Sequence, residues 1–189
     1  STSFRVNVGD VLIVYDSREN HTFVMANSIA NGIKAHGGSG RLSFFFLNSR
    51  NTKKHTHNRH TVKVKSCENA TSRDVLEATD GLILGSPVYF GNPSHSMIEF
   101  VENAMGPFWE NRSLAGRNGG VFSTGGGIHQ GTESVMVSLT RSLLAFGYRM
   151  VTPDVTQSGY DGAFGVSAVT GTDPYFPSEA GGKINSNFL

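Results

Sequence analysis

Short apolar runs alternate along this chain with longer segments in which apolar residues recur at helical spacing. The run "VLIVY" (Val11–Tyr15) is continuous and rich in β-branched residues, the pattern of a buried strand. After "DSRENHT" comes "FVMANSIANGIKAHGG", where Met25, Ile29 and Ile33 share one stripe and Gly37-Gly38 ends the helix. "TVKVKSC" (Thr61–Cys67) alternates as a strand does, and "SRDVLEAT" opens a short helix with a capping serine, Ser72. "GLILGSP" (Gly81–Pro87) and "GGVFS" (Gly119–Ser123) are further buried strands. Between them, "SMIEFVENAM" aligns Met97, Val101 and Met105, with Ile98 beside them. "VMVSLTRSLLAFG" puts Val135, Leu139 and Leu143 on one face and closes at Gly147, and "YRMVTP" is a last short strand stopped by Pro153.

Strands alternating with helices predict a parallel sheet with helices on both faces. In such sheets ligands bind beyond the carboxyl ends of the strands. Three polar, Gly-bearing loops fall there, at Asp16–Thr22, Ser86–Ser94 and Thr124–Gly131, and they are expected to converge. The first precedes a helix start, which offers unpaired amides and a positive dipole end, with Ser17, Asn20, His21 and Thr22 as side-chain donors. Ordinary helix capping would use the same residues. A Walker phosphate loop is excluded, because its lysine and glycine spacing are missing. The middle loop, "YFGNPSHSM", carries adjacent aromatics beside Gly and Asn, which suits a seat for something flat.

Composition narrows the partners. A chain of 189 residues fits a single domain, 1–189, and a net charge of +1 gives no strong field for nucleic acid or an acidic membrane. No apolar stretch reaches membrane-span length, and "STSFRVNVGD" lacks a signal peptide's apolar centre. Cys67 is the only cysteine, which rules out an intrachain disulfide and suits a reducing, cytoplasmic setting where "NHT", "NAT" and "NRS" stay idle. No acidic residue occurs between Glu19 and Glu68, while Lys34, Arg41, Arg50, Lys53, Lys54, Arg59, Lys63 and Lys65 all fall there. That basic run reads as a solvated insertion at about 38–60, with an anion-docking patch as the other reading. Its "HTHNRH" (His55, His57, His60) has no acid or thiol nearby, so no metal site is expected.

The stretches "VLIVYDSRENHTFVMA", "GSPVYFGNPSHSM", "GPFWENRSLAGRNGGVFSTGGGIHQGTES" and "LLAFGYRMVTP" together resemble the WrbA family of FMN-dependent NAD(P)H:quinone oxidoreductases. The resemblance implies a flavodoxin-like three-layer α/β sandwich with a five-stranded parallel sheet in the order 2-1-3-4-5 and FMN at its switch point. It implies NADH or NADPH as electron donor, a quinone as acceptor, and a homo-oligomer, dimer or tetramer. Carried over, the phosphate loop is Ser17, Arg18, Glu19, Asn20, His21 and Thr22. The loop flanking the isoalloxazine is Pro87, Val88, Tyr89, Phe90, Gly91 and Asn92. The second flavin loop is Ser123, Thr124, Gly125, Gly126 and Gly127, with His129. Trp109 matches a tryptophan that approaches the flavin from a neighbouring subunit, so that Tyr89, Phe90 and Trp109 would sandwich the acceptor and His129 would hydrogen-bond it.

This chain departs from the family in places. Glu19 lies inside the phosphate loop and is expected to point to solvent, since near a phosphate it would be repelled. Phe146 replaces a histidine pair and cannot donate a proton. The family's final helix is missing after "GTDPYFPSEAGG", and Phe44–Phe46 of the insertion are expected to cover the face it leaves bare. The alternatives are a flavodoxin-like electron carrier and a non-catalytic flavin-binding or interaction protein.

Overall fold

The structure, a computed structural model, describes residues 10–37, 61–127, 129–153 and 162–170. Strands β1 (Asp10–Tyr15), β2 (Thr61–Ser66), β3 (Gly81–Pro87), β4 (Asn118–Gly125) and β5 (Arg149–Met150) pair in parallel in the order β2-β1-β3-β4-β5. Helices α1 (His21–Gly37), α2 (Ser72–Glu77), α3 (His95–Phe100) and α4 (Thr132–Ala145) connect them. This is the flavodoxin-like arrangement, and its switch point lies where β1 parts from β3.

Side chains alternate across the sheet with the two-residue period of a strand. Ile13, Ile83 and Phe122 point to the α1 face and pack with Met25, Ala26 and Ala30. Leu12, Val14, Leu82, Leu84 and Val121 point the other way, into a larger cluster with α2, α3 and α4. The helical stripes fall as the pattern predicts. Met25 is buried with Ile29 and Ile33 partly so, Met97 and Met105 are buried, and Val135, Leu139 and Leu143 are buried. Past Phe100 the helix widens into a π-helical turn (Val101–Met105) and then tightens into a 3₁₀ turn (Gly106–Phe108). Gly147, at φ +82°, closes α4.

Three details differ from the pattern. Strand β2 ends at Ser66, and Cys67 lies just beyond, its amide donating to the Tyr15 carbonyl at 2.9 Å. The cap of α2 is Thr71 rather than Ser72: its hydroxyl accepts from the Asp74 amide while the Asp74 carboxylate accepts from the Thr71 amide at 2.9 Å. The fifth strand comes in two pieces. β5 pairs with Asn118 and Gly119, and β6 (Val166–Val169) resumes on the same edge of β4 along Phe122–Gly125. Only the first piece was legible, because "VSAV" is short and mixes small and polar residues. Among the described residues no helix follows β6. The inserted segment with Phe44–Phe46 and its histidines, and the residues after 170, lie outside the described part.

Strand β2 is the sheet's edge, and its lysines are engaged by α2. Lys65 Nζ lies 2.8 Å from Asp74 Oδ1, and Lys63 Nζ 3.0 Å from Glu77 Oε2, while Arg73 Nε binds the other oxygen of Glu77, Oε1, at 2.8 Å. Charges on an edge strand discourage pairing with another chain. Burial alone would raise the Asp74 pKa, but hydrogen bonds from Lys65 and Thr71 outweigh it and hold the carboxyl down at about 2. Because the folded pKa lies below the unfolded one, this stabilisation is complete above about pH 4 and is lost as pH falls toward 2. Urea unfolding across that window should show a loss of about 1–2 kcal/mol that Asp74→Asn removes. A wild-type and variant difference that does not change with pH would contradict this.

Candidate functional site

The first loop leaves β1 at the switch point, where the Asp16 amide donates to the Gly85 carbonyl of β3 at 3.0 Å. Asn20 turns the chain at φ +63° and its carbonyl accepts from Val24 at 2.9 Å, so the amides of the first turn of α1 have no intrahelical acceptor. No carboxylate lies in that turn to oppose an anion. The Ser17 hydroxyl oxygen is buried and has no hydrogen-bond partner. A buried, unpaired hydroxyl is costly, and beside a helix start it suits an anionic ligand. Glu19 does point outward, its side chain 82% exposed, with His21 Nδ1 at 3.7 Å.

The second loop is stitched beneath and tense at its tip. Ser86 accepts the Ser94 amide on its hydroxyl and the Ser123 hydroxyl on its carbonyl, both at 2.9 Å. Ser94 caps α3 by accepting from Met97. Tyr89 and Asn92 exchange both backbone hydrogen bonds, at 2.9 and 3.0 Å. Between them Phe90 (φ +50°) and Gly91 (φ +80°) form a left-handed hairpin turn, and the Phe90 side chain is fully exposed. A phenylalanine held left-handed at a loop tip is backbone strain of the kind that collects at functional sites. The Arg18 guanidinium of the first loop lies over the Tyr89 ring, 4.8 Å from its centroid.

The third loop closes the constellation. The Val88 amide donates to the Thr124 carbonyl at 3.0 Å, and the buried hydroxyls of Thr22 and Thr124 are 2.8 Å apart. Gly131, at φ +104°, lies so close to the second loop that a Cβ there would come within 3.0 Å of the Gly91 Cα. The three loops therefore meet at one rim, as the pattern predicts. Thr22→Val strands the Thr124 hydroxyl and should cost about 1–3 kcal/mol of unfolding free energy, whereas the Thr22→Val/Thr124→Val pair should be nearly neutral. Equal losses in the single and double variants would show that the bond does not matter.

Residues 11–163 match the family model described as NADPH-dependent FMN reductase. The chain belongs to that family. Among its relatives is the NAD(P)H dehydrogenase (quinone) of Nitrobacter winogradskyi, 30% identical over 168 residues that make up 87% of this chain and 79% of the relative. The protein of the same name from Afipia carboxidovorans is 31% identical over 166 residues, 87% of this chain and 79% of its own. The crystal structure of a WrbA-like flavodoxin from Agrobacterium tumefaciens superposes with a TM-score of 0.59 at 17% identity, covering 85% of this chain and 83% of that one, a likeness of fold.

In this FMN reductase family member not every expected residue stands at the rim. Ser17–Thr22, Pro87–Asn92 and Ser123–Gly127 are brought together through the contacts above. His129, itself left-handed at φ +59°, lines a cavity of about 290 Å³ with Gly127 and Gly131 of its own loop and with Thr132, Phe164 and Ser167, so it stands beside the rim. Trp109 lies elsewhere. It is 57% exposed and meets the Phe146 ring edge-on at 5.6 Å, at the carboxyl end of α4, whereas the third loop is at that helix's amino end. The 14 residues between them span about 20 Å, so one chain does not bring Trp109 to the rim. Gln130, which carries no sequence signal, folds its carboxamide against Gly127. Burial pushes the Cys67 thiol up to about 12, which leaves it inert. Among the described residues no group of His, Cys, Asp or Glu could hold a metal, and no helix is long and apolar enough to cross a membrane.

Proposed function

We propose that this chain binds FMN at the three-loop rim and reduces quinones with NADH or NADPH. The observation that carries the reading is the unpaired Ser17 hydroxyl in the loop that leads into α1, beside two loops that approach one another closely enough to need glycine. A phosphate fits the first loop, where backbone amides and Ser17 would hold it without a lysine. The ring system fits the second and third loops, with Tyr89 and Phe90 beside it and backbone of Gly91, Asn92 and Gly125–Gly127 at its edge. Bound FMN would supply the two-electron chemistry, taking hydride from the nicotinamide and passing it to the acceptor.

The protein's own groups would exclude water and orient the acceptor. His129 is assigned to hydrogen-bond a quinone oxygen, and a second copy of the chain is assigned to bring Trp109 over the ring, in a WrbA-like homo-oligomer. The whole of 1–189 is taken as one domain, in the cytoplasm.

The test is a titration with FMN followed by visible absorbance, and then turnover of benzoquinone with NADH and with NADPH. Retained flavin with rapid turnover is the expected result. Retained flavin without turnover would mark an electron carrier, and no binding at micromolar FMN would defeat the proposal. Trp109→Ala should lower quinone turnover while leaving FMN binding within about threefold, because the phosphate and the edge of the ring are assigned to the chain's own three loops and Trp109 to the acceptor side.

A further inference from the structure

The contact between Arg18 and Tyr89 crosses the rim from the anion-binding loop to the aromatic loop. At 4.8 Å from the centroid the guanidinium lies well inside the range in which a ring face attracts a cation. Among the described residues no carboxylate lies within ion-pair distance of Arg18, and its guanidinium rests on the Tyr89 ring. The backbone of Tyr89 is already fixed by its exchange of hydrogen bonds with Asn92. What remains free is the direction of the side chain.

We propose that Arg18 is a positioning residue: by covering the Tyr89 ring it fixes the plane against which a flat ligand ring packs, and so couples the anion loop to the ring seat. This rests on the flavin reading above. It differs from the simpler role of Arg18 as a phosphate counter-charge, because a positioning role persists when the ligand has no phosphate. Arginine suits it better than lysine, since a planar guanidinium stacks on a ring as well as attracting its face.

Dissociation constants for FMN and for riboflavin, measured by flavin fluorescence, separate the two roles in the wild type and in Arg18→Met, Arg18→Lys, Tyr89→Leu and the Arg18→Met/Tyr89→Leu pair. Arg18→Met is expected to weaken riboflavin by about two- to twentyfold, the range of a cation–ring contact. In the Tyr89→Leu background the same change should then have little effect on riboflavin, and Arg18→Lys should retain part of the wild-type affinity. If Arg18→Met weakens FMN but leaves riboflavin unchanged, Arg18 acts through phosphate charge and the inference is overturned. Losses that simply multiply in the double variant overturn it as well. A wild type that binds no FMN fails the proposed function itself, a different outcome from binding that ignores Arg18. Should Arg18→Met lose its native unfolding midpoint, Arg18→Lys against wild type reads the same contrast.

Discussion

Ser17→Asp is expected to lower FMN affinity by about a hundredfold or more while leaving riboflavin affinity nearly unchanged. The Ser17 hydroxyl is buried and unpaired, in the first loop two residues beyond the end of β1. A carboxylate there stands close to the proposed phosphate in a site shielded from solvent. At about 4 Å and an effective dielectric of about 20, each unit of phosphate charge is repelled by about 4 kcal/mol, and a phosphate monoester carries about −1.5 to −2. Even halved by screening, that exceeds the roughly 2.7 kcal/mol of a hundredfold change. Glu19 provides the contrast within the same loop. Its side chain is turned to solvent, so Glu19→Gln should change FMN affinity by less than about threefold. Flavin fluorescence titrations of the two variants, with thermal unfolding as the control for folding, decide the matter. Equal, small effects in both would remove the first loop from the anion site.

Gly85→Ala should be among the most damaging single changes in the sheet, at about 3 kcal/mol. Gly85 of β3 lies opposite Phe122 of β4 in register, and a Cβ on Gly85 would fall inside the Phe122 ring. That ring is fully buried under α1 with Met25 and Ala26, so it has nowhere to retreat. The neighbouring residue, Ser86, ties the second and third loops together, so the strain reaches the rim as well. Urea unfolding should show the loss, and adding Phe122→Leu should recover part of it, because the clash is with the ring. A loss below about 1 kcal/mol would mean that the ring moves more freely than its packing implies.

Much of the fold was legible because burial imposes a period on the sequence. The strands Val11–Tyr15 and Gly81–Pro87 read as continuous apolar runs since a parallel sheet covered by helices is buried on both faces. The stripes of α1 and α4 read through residues four apart, such as Met25 and Ile29 or Val135 and Leu139. The outward direction of Glu19 was expected because loop backbone can face a ligand while the side chains face solvent. Less legible were β6, whose small residues carry little signal, and the exchange of Thr71 for Ser72 as the cap of α2. Either hydroxyl could serve, and the reciprocal bond with Asp74 decides between them.

The sequence by itself determined the alternation of strands and helices, the parallel sheet and the three loops at its carboxyl edge, because each follows from local spacing and the demand to bury apolar faces. Only the tertiary structure decided which side chains meet across those loops. Thr22 finds Thr124, Arg18 covers Tyr89, Ser17 is left without a partner, and Trp109 goes to the far end of α4. Such contacts join residues far apart in the chain, and their geometry depends on strand register and loop approach, which no local pattern encodes.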